Sequence, residues 1–454
     1  MTFRNVEPTI QVGILTAPEI KFVLNGSFST QVGKVFSGNQ HAAIQNGKVR
    51  FHNQLFDELI IEPTTEDASF DLIDVVIGIG FHWERKENQR FRGALKIIVD
   101  VETQYFASLT AINRIKVEDY LTSVISSEMS ATASDEFLKA HAVISRSWLL
   151  CPLQEQRTKN KEQRQLSETR TINTELSTIN YTKWYERDAH THFDVCADDH
   201  CQRYQGITRA TTAAVEKAMV ATRGEVLMYD DKICDARFSK SCGGVTETFE
   251  NCWAHEHHPY LTKVIDNPNK PKGFELDLTI ETNAEKWIRK SPEAFCNTTD
   301  KKILSQVLNN YDQETTDFYR WKIEYTQAEL AEIISLRSGI DFGEIMDLIP
   351  VKRGESGRII VLKIIGTKQS VMVGKELEIR KWLSNSHLYS STFVVDKADI
   401  INGIPQHFTL TGAGWGHGVG LCQIGAAVMG EKGYKYYEIL LHYFKGAELK
   451  RIYS

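Results

Sequence analysis

Two groups of residues in this sequence combine a type and a spacing that suit chemistry. The first is a single glutamate. In YLTSVISSEM, Tyr120, Leu121, Val124 and Ile125 recur at helical spacing, and Glu128 falls on the same stripe. A carboxyl set among apolar groups keeps its proton to higher pH, which suits a general acid. The residues alone also fit a helix-end glutamate turned to solvent, because Ser126, Ser127 and Ser130 make that end polar. The second group is HTHFDVCADDHCQRYQG, which holds His190, His192, Cys196, His200 and Cys201. A C-x4-C pair with a histidine upstream can chelate zinc as a Cys2His set with an open fourth position. The alternatives are a small disulfide loop or two free thiols, and the neighbouring histidines favour metal. Cys242 and Cys252 are spaced too widely for a zinc knuckle, so a disulfide or a free thiol is expected there. The run His255 to His258 lacks the paired histidines of H-E-x-x-H and reads as a solvated loop.

A third stretch, GAGWGHGVGLCQIGAA, places Gly412, Gly414, Gly416, Gly418 and Gly420 at every second position. In an extended chain these form one bare face, with Trp415 and His417 on the other. Such a face admits a flat ligand or another backbone; the alternative is a tight strand-to-helix turn with a packed tryptophan. The pattern fits neither a dinucleotide fingerprint nor a phosphate loop, since Gly425 is followed by Ala426.

The elements that must position these residues follow from periodicity. Residues 9 to 100 show alternating or β-branched runs broken by glycine and polar turns, and read as strands. YLTSVISSEM and DEFLKAHAVISRSWLL read as a central helix pair, with Thr132 and Asp135 spaced for a capping box. The polar insert 153–189 reads as a mobile flap or an exposed helix. From 265 to 400, helical pieces such as AELAEIISLRS alternate with strand pieces such as RIIVLKIIG and KQSVMVG.

A chain of 454 residues predicts two or three domains. Its composition, 42% hydrophobic and 25% charged, is that of a globular protein, and a net charge of -6 argues against nucleic-acid binding. No apolar run approaches the roughly 20 residues of a membrane helix. The first residues lack a basic segment followed by an apolar core, so no signal peptide is visible. Eight cysteines are too few for a disulfide scaffold at this length.

Taken in order, these motifs resemble the SpoIID/LytB family of sporulation stage II protein D. FRGAL (91–95), KVEDYLTSVISSEM (116–129), FLKAHAVISRSW (137–148) and HTHFDVCADDHCQRYQG (190–206) resemble its segments in sequence order. So do SKSCGGVTET (239–248), ESGRIIVLKI (355–364), LYSSTF (388–393) and GWGHGVGLCQIGAAVMG (414–430). His141 stands where the family has glutamine, Ser147 and Trp148 replace threonine and tyrosine, and LCQIGA replaces M-S-Q-Y-G-A.

The resemblance implies a peptidoglycan lytic transglycosylase. Such enzymes cleave glycan strands between N-acetylmuramic acid and N-acetylglucosamine and leave a 1,6-anhydro end. It implies Glu128 as acid and base, and a structural zinc ion near the cleft on His190, Cys196 and Cys201, with His200 beside it. Substrate contacts are expected from Lys139, Arg146, Ser241, Gly243, Gly244, Trp415, His417 and Gln423. The implied setting is extracytoplasmic, in periplasm or cell wall, with glycan strands and other cell-wall hydrolases as partners. The expected fold is α+β and two-lobed. A β-rich region covers 1–100 and a mixed catalytic core covers 101–264, with an α/β lobe inserted over 265–400. The glycine-rich strand and helix of 401–454 then complete the cleft. Two rivals are a non-catalytic cell-wall binding protein that enhances amidases, and a zinc enzyme of another class.

Overall fold

The computed structural model describes residues 6–77, 84–103, 106–130, 133–156, 168–173, 178–184, 190–198, 200–208, 211–269, 276–307 and 315–454. The fold is mixed α/β, and the chain divides into two compact units, each built from separate stretches. The first comprises 1–131, 187–225 and 451–454; the second comprises 132–186 and 226–450.

An eleven-stranded sheet forms the first unit. Its spine pairs Thr9–Ala17 with Phe106–Lys116, then Ala94–Thr103 and Glu58–Pro63, all antiparallel. Alternation drives this pairing: Ile10 and Val12, Leu59 and Ile61, and Leu95 and Ile97 are each fully buried two residues apart. The short strand Val195–Cys196 adds to the sheet edge, parallel to Val12 and Gly13. Strand Phe106–Lys116 runs straight into the helix Val117–Glu128. Lys116, at the N-cap, offers no side-chain cap. The first helical N–H groups find other acceptors, Val117 on the Pro8 carbonyl at 3.1 Å and Glu118 on the Glu7 carboxylate at 2.9 Å. As the spacing predicts, Tyr120, Leu121, Val124 and Ile125 are buried.

The second unit opens with the long helix Asp135–Gln156, buried at every position from Ala140 to Cys151. Thr132, expected to cap it, lies outside the described residues. Strands Arg320–Thr326, Phe393–Ile401 and Ile404–Ala413 form one sheet. Ile345–Arg353, Ile359–Gly366 and Ser370–Gly374 belong to another. Between them the helix Gln327–Ser338 starts at a Thr326/Glu329 capping box and stops at Gly339, whose φ of 69° suits a left-handed cap.

Of the polar insert expected as a flap or exposed helix, residues 153–156 continue the helix Asp135–Gln156 and two later pieces form strands. Glu168–Asn173 pairs with Thr178–Lys183, which joins Ser370–Gly374 in parallel. The rest of that run, 157–167, 174–177 and 185–189, lies outside the described residues.

Candidate functional site

Glu128 closes its helix and is half-buried. The helix breaks at the next residue, Met129, which is extended at φ -112° and ψ 147°. The carboxylate therefore sits at a helix end but on the apolar side, since Val124 and Ile125 behind it are fully buried. The backbone N–H of Arg203 donates to Glu128 Oε1 at 3.2 Å.

Arg203 follows the cysteine and histidine cluster, and the loop carrying that cluster is pinned at both ends. At its start, Asp194 exchanges two hydrogen bonds with the Gln11 backbone, at 2.8 and 2.9 Å. Phe193 covers Gly13, where any side chain would strike its ring. At its end, Gln205 N–H donates to Ser123 Oγ at 3.3 Å, and the Tyr204 hydroxyl donates to Asn113 at 2.6 Å. Tyr204 also packs against Tyr120 of the glutamate's helix, ring centroids 4.9 Å apart.

Cys196, His200 and Cys201 between these anchors, with His190 just before the first, bring four ligand atoms within 4.8 Å of one another. Cys201 Sγ lies 3.4 Å from His190 Nε2 and 3.4 Å from His200 Nδ1. A tetrahedral zinc at usual bond lengths sets sulfur and nitrogen ligands about 3.6 Å apart, so the donor set and its spacing fit that metal. Hydrogen bonding from Cys201, and then from His190 and His200, draws the Cys196 thiol well below its usual range against the effect of burial. His200, placed only beside the expected set, stands among the four residues whose ligand atoms converge. His192 stays outside, 3.7 Å from Asp100.

The glycine-rich stretch lies in the second unit and is not the extended strand its spacing suggests. Only Gly412 belongs to a strand. Gly414, Gly416, Gly418 and Gly420 all take positive φ, between 75° and 91°. Their bare sides meet protein: Gly412 the Trp321 ring, Gly414 the Ser241 carbonyl, Gly418 the Arg358 guanidinium and Gly420 the Arg237 carbonyl. Arg358 is buried and holds the loop by donating to the Gly416 carbonyl at 3.0 and 3.2 Å. Glu247, also buried, donates its own N–H to the Gly418 carbonyl at 2.9 Å. Its carboxylate collects N–H donors from Thr248, Glu355 and Ser356, the Asn251 amide and the Ser356 hydroxyl. Glu247 and Arg358 fall within two of the resembling segments, but nothing local marks either charged residue as internal.

The other expected contact residues divide by exposure. Ser241 exchanges backbone hydrogen bonds with Trp415 at 2.8 and 3.0 Å. Gly243 and Gly244 form a buried turn at φ 76° and 110°. Arg146 is fully buried in its helix, and Lys139 pairs with Glu136 at 2.7 Å. Gln423 is buried and bonds His141 at 3.1 Å, so it does not face solvent. Trp415 remains half-exposed; His417 is intermediate as a residue, but its imidazole is packed against Trp253 at 5.1 Å. Trp415 packs against Tyr389 and Phe318 at 4.2 and 4.7 Å, with the Lys240 ammonium 5.6 Å from its ring centre. His417 accepts the Val419 N–H on Nδ1 at 3.0 Å. Burial, followed by the charges of Arg237, Arg358 and Arg380, pushes its pKa down to about 3. Cys252 donates to the His417 carbonyl at 3.7 Å, whereas Cys242 lies against Cys296, so the two do not pair with each other.

Sequence comparison agrees with this layout. The family described as Stage II sporulation protein matches residues 105–229, from the strand before the glutamate helix through the cysteine and histidine loop. A domain of unknown function, DUF8618, matches 247–420. Over 345 residues the chain is 24% identical to stage II sporulation protein D of Bacillus amyloliquefaciens, covering 76% of this chain and 77% of that protein. It is 25% identical to an uncharacterized protein of Brachyspira hyodysenteriae, covering 76% and 69%. It is 28% identical over 251 residues to the amidase enhancer of Bacillus subtilis (strain 168), covering 51% of this chain but 32% of that relative's length. Residues 105–229 therefore carry a SpoIID-family domain, and the similarity to the stage II sporulation proteins D extends over 76% of the chain.

Proposed function

We propose that the protein is a peptidoglycan lytic transglycosylase in which Glu128 is both general acid and general base. The observation that carries this reading is the placement of one carboxylate at the end of an apolar helix, held by the Arg203 N–H. Ordinary glycosidases need a second carboxylate as base or nucleophile. In an anhydro-forming cleavage the muramic acid's own 6-hydroxyl attacks the anomeric carbon. Glu128 protonates the departing glycosidic oxygen and then takes the proton of that hydroxyl. The bond to the leaving sugar breaks, the 1,6-anhydro bond forms, and no water is consumed.

Zinc on His190, Cys196, His200 and Cys201 would brace the loop that carries Arg203. Four protein ligands make a closed set, which suits structural rather than Lewis-acid work. Of the expected glycan contacts, Trp415 is the one whose ring and partial exposure suit a sugar face. The substrate places the protein outside the cytoplasm. Among the described residues no helix is long and apolar enough to cross a membrane.

The test is mass spectrometry of muropeptides released from purified sacculi. Glu128→Gln should lower anhydro-product release by about 10²–10⁴-fold, the usual scale of general acid–base catalysis. Full activity in that variant would remove the assignment. A second reading, a non-catalytic partner of amidases, draws on the named amidase enhancer among the relatives. It requires that Glu128→Gln still stimulate an amidase while neither form releases anhydro products.

A further inference from the structure

Cys242, Asp266, Cys296 and Cys422 come from four separate stretches of the second unit, yet their ligand atoms all lie within 4.8 Å of one another. Cys242 sits in the turn before Gly243 and Gly244, and Asp266 follows the bridge between Val245 and Ile265. Cys296 lies past the helix Glu281–Arg289, and Cys422 is the N-cap of the helix Gln423–Glu431. All four are buried, Asp266, Cys296 and Cys422 completely. We propose that these side chains form a structural zinc site of the Cys3Asp type, separate from the His190 cluster.

Three observations carry it. The first is spacing. Cys242 and Cys296 have their sulfurs 3.7 Å apart. Two thiolates on a tetrahedral zinc, each about 2.3 Å from the metal, stand about 3.8 Å apart. A disulfide, with its sulfurs about 2.05 Å apart, would engage only two of the four converging ligand groups. The second is the direction of the backbone donors. Cys242 N–H points at Cys422 Sγ at 3.2 Å, and Gly244 N–H points at Cys242 Sγ at 3.4 Å. Such N–H groups orient the sulfurs from outside the cluster, as outer partners of metal ligands do.

The third is the support behind the carboxylate. Asp266 Oδ1 accepts the Tyr443 hydroxyl at 2.6 Å, and Oδ2 accepts the Cys296 N–H at 2.8 Å. Ligating carboxylates are oriented by outer partners of this kind. Gly425 keeps the space open, because a side chain there would come within 2.6 Å of Asp266 Oδ1. Metal binding would release the thiol protons and tie together four segments distant in sequence.

The experiment is elemental analysis and non-reducing peptide mapping of the full chain, with zinc as the probe. Cys196→Ser/Cys201→Ser disables only the first cluster, and this double variant should retain about one zinc per chain. Replacing that zinc with cobalt should give a strong thiolate charge-transfer band, and adding Cys296→Ser should weaken it. If the triple variant does not fold, the double variant still decides. No metal in the double variant, or a Cys242–Cys296 disulfide in the native chain, overturns the inference. One zinc in both the native chain and the double variant would instead overturn the first cluster and leave this one standing.

Discussion

The backbone N–H of Arg203 meets the carboxylate of Glu128 at 3.2 Å, two residues past the last member of the cysteine and histidine cluster. The donor is main chain, so side-chain substitution cannot remove it, but proline can. Arg203→Pro should therefore release less anhydro-muropeptide than Arg203→Ala, by about tenfold or more if the lost bond to a charged group is worth 1.5–3 kcal/mol. Equal activity in the two variants would show that this bond does not orient the acid.

Removing metal from the His190 cluster should act through the same loop. A chelator, or Cys196→Ser/Cys201→Ser, should lower the melting temperature and the glycan-cleavage rate together, because Gln205 and Tyr204 are tied to the glutamate's helix and its supporting strand. A metal-depleted sample with native rate and native melting temperature would remove zinc from the mechanism.

Gly418→Ala should destabilise the second unit through a clash as well as through backbone strain. Its added methyl group would run into the Arg358 guanidinium. Gly403 is the control, with φ 83° and open space around it. Both variants bear the left-handed cost of about 1–2 kcal/mol. Only Gly418→Ala adds overpacking of about 1–3 kcal/mol, so its melting temperature should fall several degrees further. Matching losses would show that Arg358 yields freely.

Acid should loosen the second unit before it affects general solubility. Burial alone pushes His141 down to about 3, and His417 lies at about 3 for the reasons given above. A histidine with a depressed folded pKa is neutral in the fold and protonated once unfolded. The unfolded chain therefore gains protons as pH drops below its ordinary value of about 6.5. Stability should be full above that value and decline between about 6.5 and 3. His141→Gln, which removes the titrating group, should make this decline shallower in pH-dependent thermal unfolding. An unchanged slope would show that His141 does not contribute to it.

The parts of the site legible in the sequence are those whose partners lie close in the chain. Helical spacing placed Val124 and Ile125 under Glu128, and C-x4-C spacing joined Cys196 to Cys201. The glycine stretch misled because period two is also the period of alternating left-handed and extended residues, and what fills its bare side is Trp321 and Arg358, 91 and 60 positions away from Gly412 and Gly418. Cys296 carried no signal, since its partners lie 54 and 126 positions off at Cys242 and Cys422. The strand Thr178–Lys183 hid in a polar run because its place comes from pairing with Ser370–Gly374 and from Tyr181 packing on Trp382, about 190 and 200 positions away.

The first unit is sewn shut by residues 451–454. The Tyr453 hydroxyl donates to buried Glu118 at 2.7 Å, Gly224 N–H donates to the same carboxylate at 3.2 Å, and Ile452 N–H reaches the Gly224 carbonyl. On a ribosome, more than 300 residues follow Ala131 before Tyr453 appears. At synthesis speeds of about 5–20 residues per second this takes roughly 15–65 seconds. For that interval the Glu118 carboxylate lacks its Tyr453 partner, so the closing contacts of the first unit form only once synthesis has reached residue 453.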